Sequence, residues 1–132
     1  MLNLPKFKVA AVQAAPVFLD THATIDKACR LIREAAAQGA ALVVFPEVFV
    51  PAYPYWSWVG NPVAASPWFQ KLCEAAVEVP GPEVARVAQA ARDCGVHVAI
   101  GINERSARSV SLLYNTMVLV GPDATLLDRH RK

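Results

Sequence analysis

The fold class is decided by the stretch Gly39-Ala40-Ala41-Leu42-Val43-Val44-Phe45-Pro46-Glu47, in which an apolar run meets a proline and then a carboxylate. Such a run is typical of a buried strand in an α/β fold. In these folds, ligands and catalytic groups lie at the carboxyl ends of strands, which is where Glu47 stands. A charge leaves water only at a cost unless it is paired or used, so Glu47 is the first candidate for chemistry. The alternative is a strand-end glutamate that turns into solvent.

The segments on both sides of this strand follow the order β-α-β-loop-α-β-β-β. An apolar stripe with helical spacing predicts a helix that is capped by Asp20 or Thr21 and ends near Gly39. A second helix opens at Pro82 and ends at Gly95, and a short one is possible at 68–77. The other predicted strands are 7–15, 96–102, 112–120 and 125–130. The near-continuous apolar run of 7–15 predicts a strand that is covered on both faces. The turn Gly121-Pro122-Asp123-Ala124 is expected to join the last two strands in a hairpin. The pattern predicts an α/β fold with a mixed β-sheet.

The composition limits the possible functions. The chain has 132 residues, so we expect at most one domain, and its 55% hydrophobic content is enough for a core. The net charge of +2 comes from interspersed signs, which disfavours a nucleic-acid partner. The sequence has no secretory signal and no stretch of the length that spans a bilayer. The chain has an odd number of cysteines in helix-like sequence, namely Cys29, Cys73 and Cys94. We therefore expect reduced thiols and a cytoplasmic location. Because no stretch is long enough to span a bilayer, we expect no membrane partner.

Two common kinds of α/β site are disfavoured. The turn after the first strand is Ala14-Ala15-Pro16-Val17, without the glycines that let a backbone approach a pyrophosphate. His22, His97 and His130 are scattered, and none has a cysteine or histidine neighbour at metal-ligand spacing. We therefore expect no cofactor and no metal.

An aromatic and proline-rich segment follows the glutamate. It reads Val48-Phe49-Val50-Pro51-Ala52-Tyr53-Pro54-Tyr55-Trp56-Ser57-Trp58 and contains five aromatic rings. Aromatic walls beside a single carboxylate describe a pocket for a small, largely apolar substrate. The alternative is an aromatic surface that another chain buries.

Several segments together resemble the nitrilase branch of the carbon–nitrogen hydrolase superfamily. The family's glutamate signature is similar to Gly39–Pro54, G-A-A-L-V-V-F-P-E-V-F-V-P-A-Y-P, and its opening strand is similar to Lys8–Ala14. The basic strand end that bears its catalytic lysine is similar to Arg129-His130-Arg131-Lys132. Gly101–Arg105 and Leu113–Thr116 also follow in the expected order.

The resemblance implies the N-terminal part of an αββα sandwich, with a mixed sheet and helices on one face. Residues 1–132 would then be the N-terminal portion of a single domain whose C-terminal portion is absent. One departure from the signature is Ala52, which stands in place of a glycine. Its methyl group should restrict the loop backbone and narrow the pocket.

The resemblance also implies a Glu-Lys-Cys triad that converts an organic nitrile to a carboxylic acid and ammonia. Glu47 would be the general base, with its basicity raised by an apolar pocket, and Lys132 the cation that stabilises developing charge. Tyr53, Trp56 and Trp58 are expected to bind the substrate. Without the resemblance, a lysine after two arginines would be interpreted as a solvated tail.

The triad's cysteine is expected beyond Lys132, on a strand end where it precedes a tryptophan and a glutamate. Cys73, with Lys71 and Glu74 nearby, is the least implausible substitute within the chain. This segment alone should therefore be inactive. The alternatives are an amidase or cyanide-converting enzyme of the same superfamily, and a non-catalytic homologue that joins subunits through an exposed sheet face. Because family members assemble into oligomers, we expect a homo-oligomer that acts on a small nitrile.

Overall fold

The computed structural model describes residues 4–132, so the first three residues of the predicted domain lie outside the described residues. Its elements are β1 (Val9–Ala11), α1 (Thr21–Ala37), β2 (Leu42–Val44), α2 (Trp56–Val59), α3 (Ser66–Ala75), α4 (Pro82–Cys94), β3 (His97–Ser106), β4 (Ser109–Val120) and β5 (Leu126–Arg131). The predicted order of strands and long helices is confirmed. The segment between β2 and α4 contains α2 and α3, of which only α3 was predicted.

The five strands form one sheet in the order β1-β2-β3-β4-β5. The first three strands are parallel, and β4 and β5 run antiparallel to their neighbours, which confirms the mixed sheet. Helices α1 and α4 make the two crossovers between parallel strands. Since β1 and β2 end side by side, with Ala11 opposite Val44, the segments that follow them emerge at the same edge of the sheet.

Local signals explain where the long helices begin and end. The Asp20 carboxylate accepts a hydrogen bond from the Ala23 amide at 2.9 Å and so caps α1. Gly95 has φ +64 and ends α4 in the left-handed conformation that favours glycine. Helix α1 is amphipathic, and its buried face consists of Thr24, Ile25, Ala28, Cys29, Ile32 and Ala35.

The two faces of the sheet have different environments. Helices α1 and α4 pack on each other and on one face, where the side chains of Val43, Val98, Ile100, Val118 and Val120 are buried. Because side chains alternate along a strand, Val9 and Met117 lie on the opposite face, and they are 47% and 39% exposed. The prediction that the first strand is covered on both faces is therefore wrong in this structure, since both crossover helices lie on the other side. Within residues 4–132, none of the helices is long and apolar enough to cross a membrane.

Candidate active site

The backbone that follows β2 is held against β3. The Val50 amide donates to the Gly101 carbonyl at 3.1 Å, and the Asn103 amide donates to the Val50 carbonyl at 2.8 Å. The buried Asn103 side chain donates to the Ala52 carbonyl at 2.9 Å. Ala52 is itself buried, so in this structure its methyl group does not line an open pocket. These bonds fix the turn that contains Glu47 to the central strand.

The turn itself depends on a close backbone approach and on an unusual conformation. A Cβ atom at Gly101 would lie 2.6 Å from the Pro46 carbonyl oxygen and 3.0 Å from the Cα of Glu47, so only glycine fits there. Val48 has φ +48, a region that a β-branched residue rarely adopts. Val48 and Phe49 are both buried, and this burial holds the strained turn in place. The turn directs the Glu47 side chain outward.

The structure brings the two predicted catalytic groups together. The Lys132 ammonium donates a hydrogen bond to Oε1 of Glu47 at 2.7 Å, although 85 positions separate the two residues. Asn115 on β4 contacts both residues. Its side-chain amide donates to the same Glu47 oxygen at 2.6 Å, and its carbonyl accepts the Lys132 backbone N–H at 2.9 Å.

These contacts determine the charge state of the site. The hydrogen bond from Lys132, followed by that from Asn115, holds the pKa of Glu47 below its ordinary value. The same bond to Glu47 raises the pKa of Lys132. The predicted rise in the basicity of Glu47 is therefore wrong in this structure: its side chain is 51% exposed, so desolvation is weaker than the hydrogen bonds. Both groups are charged at neutral pH.

Two of the three predicted substrate-binding residues lie at this site. Tyr53 lies close enough to Lys132 to add, after Glu47, to the rise in the lysine's pKa. The Trp58 indole N–H donates to the Tyr53 hydroxyl at 3.2 Å, and the Tyr53 and Tyr55 rings pack with centroids 5.0 Å apart. Because Trp58 is 76% exposed, these rings form an open wall beside the ion pair.

Trp56 belongs to a separate aromatic cluster. Its ring meets Phe18 edge-to-face at 6.0 Å and lies 6.2 Å from Trp68. It also lines a cavity of about 210 Å³, to which neither Glu47 nor Lys132 contributes. The structure therefore does not bring Trp56 to the ion pair.

The cysteines are engaged elsewhere. Cys29 is buried, its thiol lies 3.7 Å from the Arg86 carbonyl, and burial raises the pKa of the thiol. Burial also raises the pKa of Cys73, whose carbonyl accepts a hydrogen bond from Arg105. None of the three cysteines is hydrogen-bonded to Glu47 or Lys132. In the described part of the chain, no group of three or more His, Cys, Asp or Glu side chains is placed to hold a metal ion.

Sequence reasoning missed Asn115 as a site residue. The available signal was the polar pair Asn115-Thr116 inside the mostly apolar strand at 112–120. Its contacts follow from the register of the β4–β5 hairpin, in which Thr116 lies opposite Arg131. A turn signal predicts the hairpin, but it does not give the pairing at the far end of the two strands.

Comparisons with known proteins show to which family this chain is similar. The family model described as carbon-nitrogen hydrolase matches residues 8–132. The chain is 42% identical to a nitrilase of Bacillus sp. (strain OxB-1), over 100% of this chain and 38% of that protein. It is 38% identical to a cyanide hydratase of Armillaria gallica, over 98% of this chain and 36% of that protein. The structure of Saccharomyces cerevisiae Nit3, a member of branch 10 of the nitrilase superfamily, matches with a TM-score of 0.70 and 25% identity, over 94% of this chain and 43% of that one. The chain thus spans little more than a third of these curated relatives.

Proposed function

Because the chain belongs to the carbon–nitrogen hydrolase family, we propose that it supplies the base and the lysine of an enzyme that converts an organic nitrile to a carboxylic acid and ammonia. The observation that carries this proposal is the 2.7 Å contact between Lys132 and Glu47. It joins a carboxylate and an ammonium group at the ends of two strands, beside an aromatic wall. A base and a fixed cation are what thiol attack on a nitrile requires.

In the proposed reaction, Glu47 takes the proton of a cysteine thiol while the sulfur bonds to the nitrile carbon. Lys132 stabilises the negative charge that develops on the nitrile nitrogen, and this nitrogen takes the proton from Glu47, which gives a thioimidate. One water then adds to the carbon and ammonia leaves, so a thioester remains. A second water releases the carboxylic acid and restores the thiol. The overall reaction consumes one nitrile and two waters.

The ion pair changes the basicity of Glu47 in the course of the proposed reaction. In the structure, Lys132 holds the pKa of Glu47 low, which keeps the carboxylate ionised and able to accept a proton. The same contact weakens it as a base. Negative charge on the substrate nitrogen attracts Lys132 and weakens its hydrogen bond to Glu47. Glu47 then accepts a proton more readily. The lysine thus stabilises first the ionised base and then the substrate's charge.

The thiol comes from a cysteine other than Cys29, Cys73 and Cys94. Burial raises the pKa of both Cys29 and Cys73, which makes each a poorer nucleophile. Cys94 lies in the last turn of α4, next to the glycine that ends it. We place the nucleophile in sequence that follows Lys132, in keeping with the greater length of the relatives.

Tyr53 and Trp58 form one wall of the proposed substrate pocket. Tyr53 lies near Lys132, and the Trp58 ring that is bonded to it presents exposed aromatic surface that an apolar substituent of the nitrile would cover. Trp56 packs in the separate cluster with Phe18 and Trp68 and is not assigned to this wall.

A second candidate is an enzyme that hydrates its substrate and stops at the amide. The similarity to a cyanide hydratase favours this candidate. An amidase with the same groups is a third. The three are separated by the ratio of ammonia to carboxylic acid to amide that forms from a nitrile, and by a parallel assay on the corresponding amide.

The decisive experiment measures nitrile hydrolysis by the complete protein and its variants. Glu47→Gln removes the base and should lower kcat by about 10²–10⁴-fold. Lys132→Met should lower it by about 10²–10³-fold. The matched control Glu78→Gln removes an exposed carboxylate that pairs with Arg105, and should retain activity within about twofold. Near-normal turnover by Glu47→Gln, or turnover by the isolated 132 residues, would contradict the proposed roles.

We also propose that the protein is a homo-oligomer in the cytoplasm. The exposed apolar side chains of Val9 and Met117 on the open sheet face support association, and the free cysteines support a reducing compartment. Sedimentation velocity of the complete protein tests the first point, and a monomer over the micromolar range would contradict it. Imaging of a tagged protein tests the second.

A further inference from the structure

A buried carboxylate lies on the opposite side of the sheet from the ion pair. Glu104 on β3 is only 1% exposed. Arg131 donates two hydrogen bonds to it, at 2.7 and 3.0 Å, and Arg129 donates one at 3.1 Å. The Thr116 hydroxyl donates another at 2.8 Å. The Arg131 guanidinium also lies over the Tyr114 ring, 4.0 Å from its centroid.

These contacts distinguish the two faces of β5. Side chains alternate along a strand, so Arg129 and Arg131 point towards Glu104 while Lys132 points to the other face, where Asn115 and Glu47 lie. Every residue of β5 is exposed, so hydrophobic burial does little to choose between the two faces.

We propose that Glu104 is a positioning residue that fixes the register of β5 and thereby places Lys132 against Glu47. A slip of one residue moves every side chain of a strand to the other face. Such a slip would bring His130, with Asp128 or Lys132, to Glu104 in place of the two arginines. The buried carboxylate would lose its two-point guanidinium partner, so the slipped pairing is strongly disfavoured. This proposal rests on the proposed role of Lys132.

The test compares Glu104→Gln with Glu78→Gln in the complete protein by NMR. Glutamine keeps the size of the side chain and an acceptor for Thr116, but it loses the charge that holds the arginines. The first readout is the hydrogen-exchange protection of the Lys132 amide, which reports its bond to Asn115. The second is the titration of the Glu47 carboxyl carbon.

In Glu104→Gln, we expect the Lys132 amide to lose its protection and the pKa of Glu47 to rise towards its ordinary value. Glu78→Gln should change neither readout. If folded Glu104→Gln keeps both the protection and the low Glu47 titration, the proposal is overturned. Loss of stability alone does not move the Glu47 titration of the folded molecules, so it is distinguished from loss of register.

If Glu104→Gln does not fold, Arg131→Lys decides by the same two readouts. It keeps the positive charge but gives up the two-point contact with Glu104. Both readouts should shift in the same direction as above, and unchanged readouts would overturn the proposal. Neither measurement uses a substrate. A protein that holds Lys132 in place but hydrolyses no nitrile would therefore contradict the proposed function and leave the positioning role intact.

Discussion

Replacement of Gly101 by alanine should displace the Glu47 turn and weaken the ion pair. A Cβ at this position would lie 2.6 Å from the Pro46 carbonyl oxygen, whereas ordinary van der Waals contact begins at 3.4 Å. The Val48 amide nitrogen would lie closer still, so the turn would retreat by at least about 0.8 Å to restore normal separation. A shift of that size along the bond to Lys132 would lengthen the present 2.7 Å to about 3.5 Å, beyond the range of a charge-assisted hydrogen bond.

Two measurable consequences follow from this displacement. Overpacking of a filled site costs about 1–3 kcal/mol of unfolding free energy. Because the hydrogen bond from Lys132 is the main cause of the low pKa of Glu47, this pKa should rise towards its ordinary value. Urea unfolding followed by circular dichroism measures the first consequence, and NMR titration of the Glu47 carboxyl carbon measures the second.

The matched control is Gly95→Ala. Gly95 has a positive φ, unlike Gly101, and a Cβ there would have no atom within 4 Å. The left-handed conformation alone should cost about 1–2 kcal/mol, with no change in the Glu47 titration. The reasoning is refuted if Gly101→Ala leaves both stability and the Glu47 titration unchanged, or if Gly95→Ala shifts that titration equally.

Further predictions concern charge and thiol reactivity. Asn115→Asp should raise the pKa of Glu47, because it replaces a donor by a second carboxylate; an unchanged carboxyl titration would contradict the contact. Burial alone would raise the pKa of Glu104, but its bonds to arginine and threonine outweigh burial and keep this pKa below the ordinary 4.5. The ionised Glu104 therefore stabilises the fold above pH 4.5, and this contribution is lost as the pH falls through the lower pKa of the folded state. In urea unfolding at several acidic pH values, the free energy of unfolding of Glu104→Gln should fall less steeply with decreasing pH than that of the unchanged protein. Cys29 is buried and Cys73 only partly so, so iodoacetamide should modify Cys29 more slowly, as peptide mass spectrometry can measure.

The fold was predictable wherever its signals are local. The cap at Asp20 and the glycine at Gly95 fixed the long helices within a residue or two. The predicted strand at 7–15 is too long, because β1 pairs with β2 over only three residues. An apolar run does not indicate how many of its residues pair with the neighbouring strand. Strands β3 and β4 extend further than predicted, to Ser106 and from Ser109, because their polar ends pair with each other and carry no apolar pattern.

The two charged groups of the candidate site were predictable from the sequence, but their electrostatics and their shared partner Asn115 were not. The position of Glu47 after an apolar strand indicated chemistry, and the resemblance supplied Lys132 as its partner. The expected rise in basicity assumed an apolar pocket around Glu47. The structure shows a half-exposed carboxylate with two donors, whose effect on the pKa exceeds that of desolvation. Only the hairpin register reveals that one of these donors is Asn115.

Arg131 at the end of β5 and Lys132 directly after it form two ion pairs of different character. On one face, Arg131 holds the buried Glu104, and on the other, Lys132 holds the half-exposed Glu47. Removing one partner of a buried pair leaves an uncompensated charge, so the inner pair resists exchange. An exposed pair contributes little to stability, so separating Lys132 from Glu47 costs little, which is what the role proposed for Lys132 requires. Alternation along Arg131-Lys132 places one side chain on each face and so combines a firmly held arginine with a lysine that can change partner.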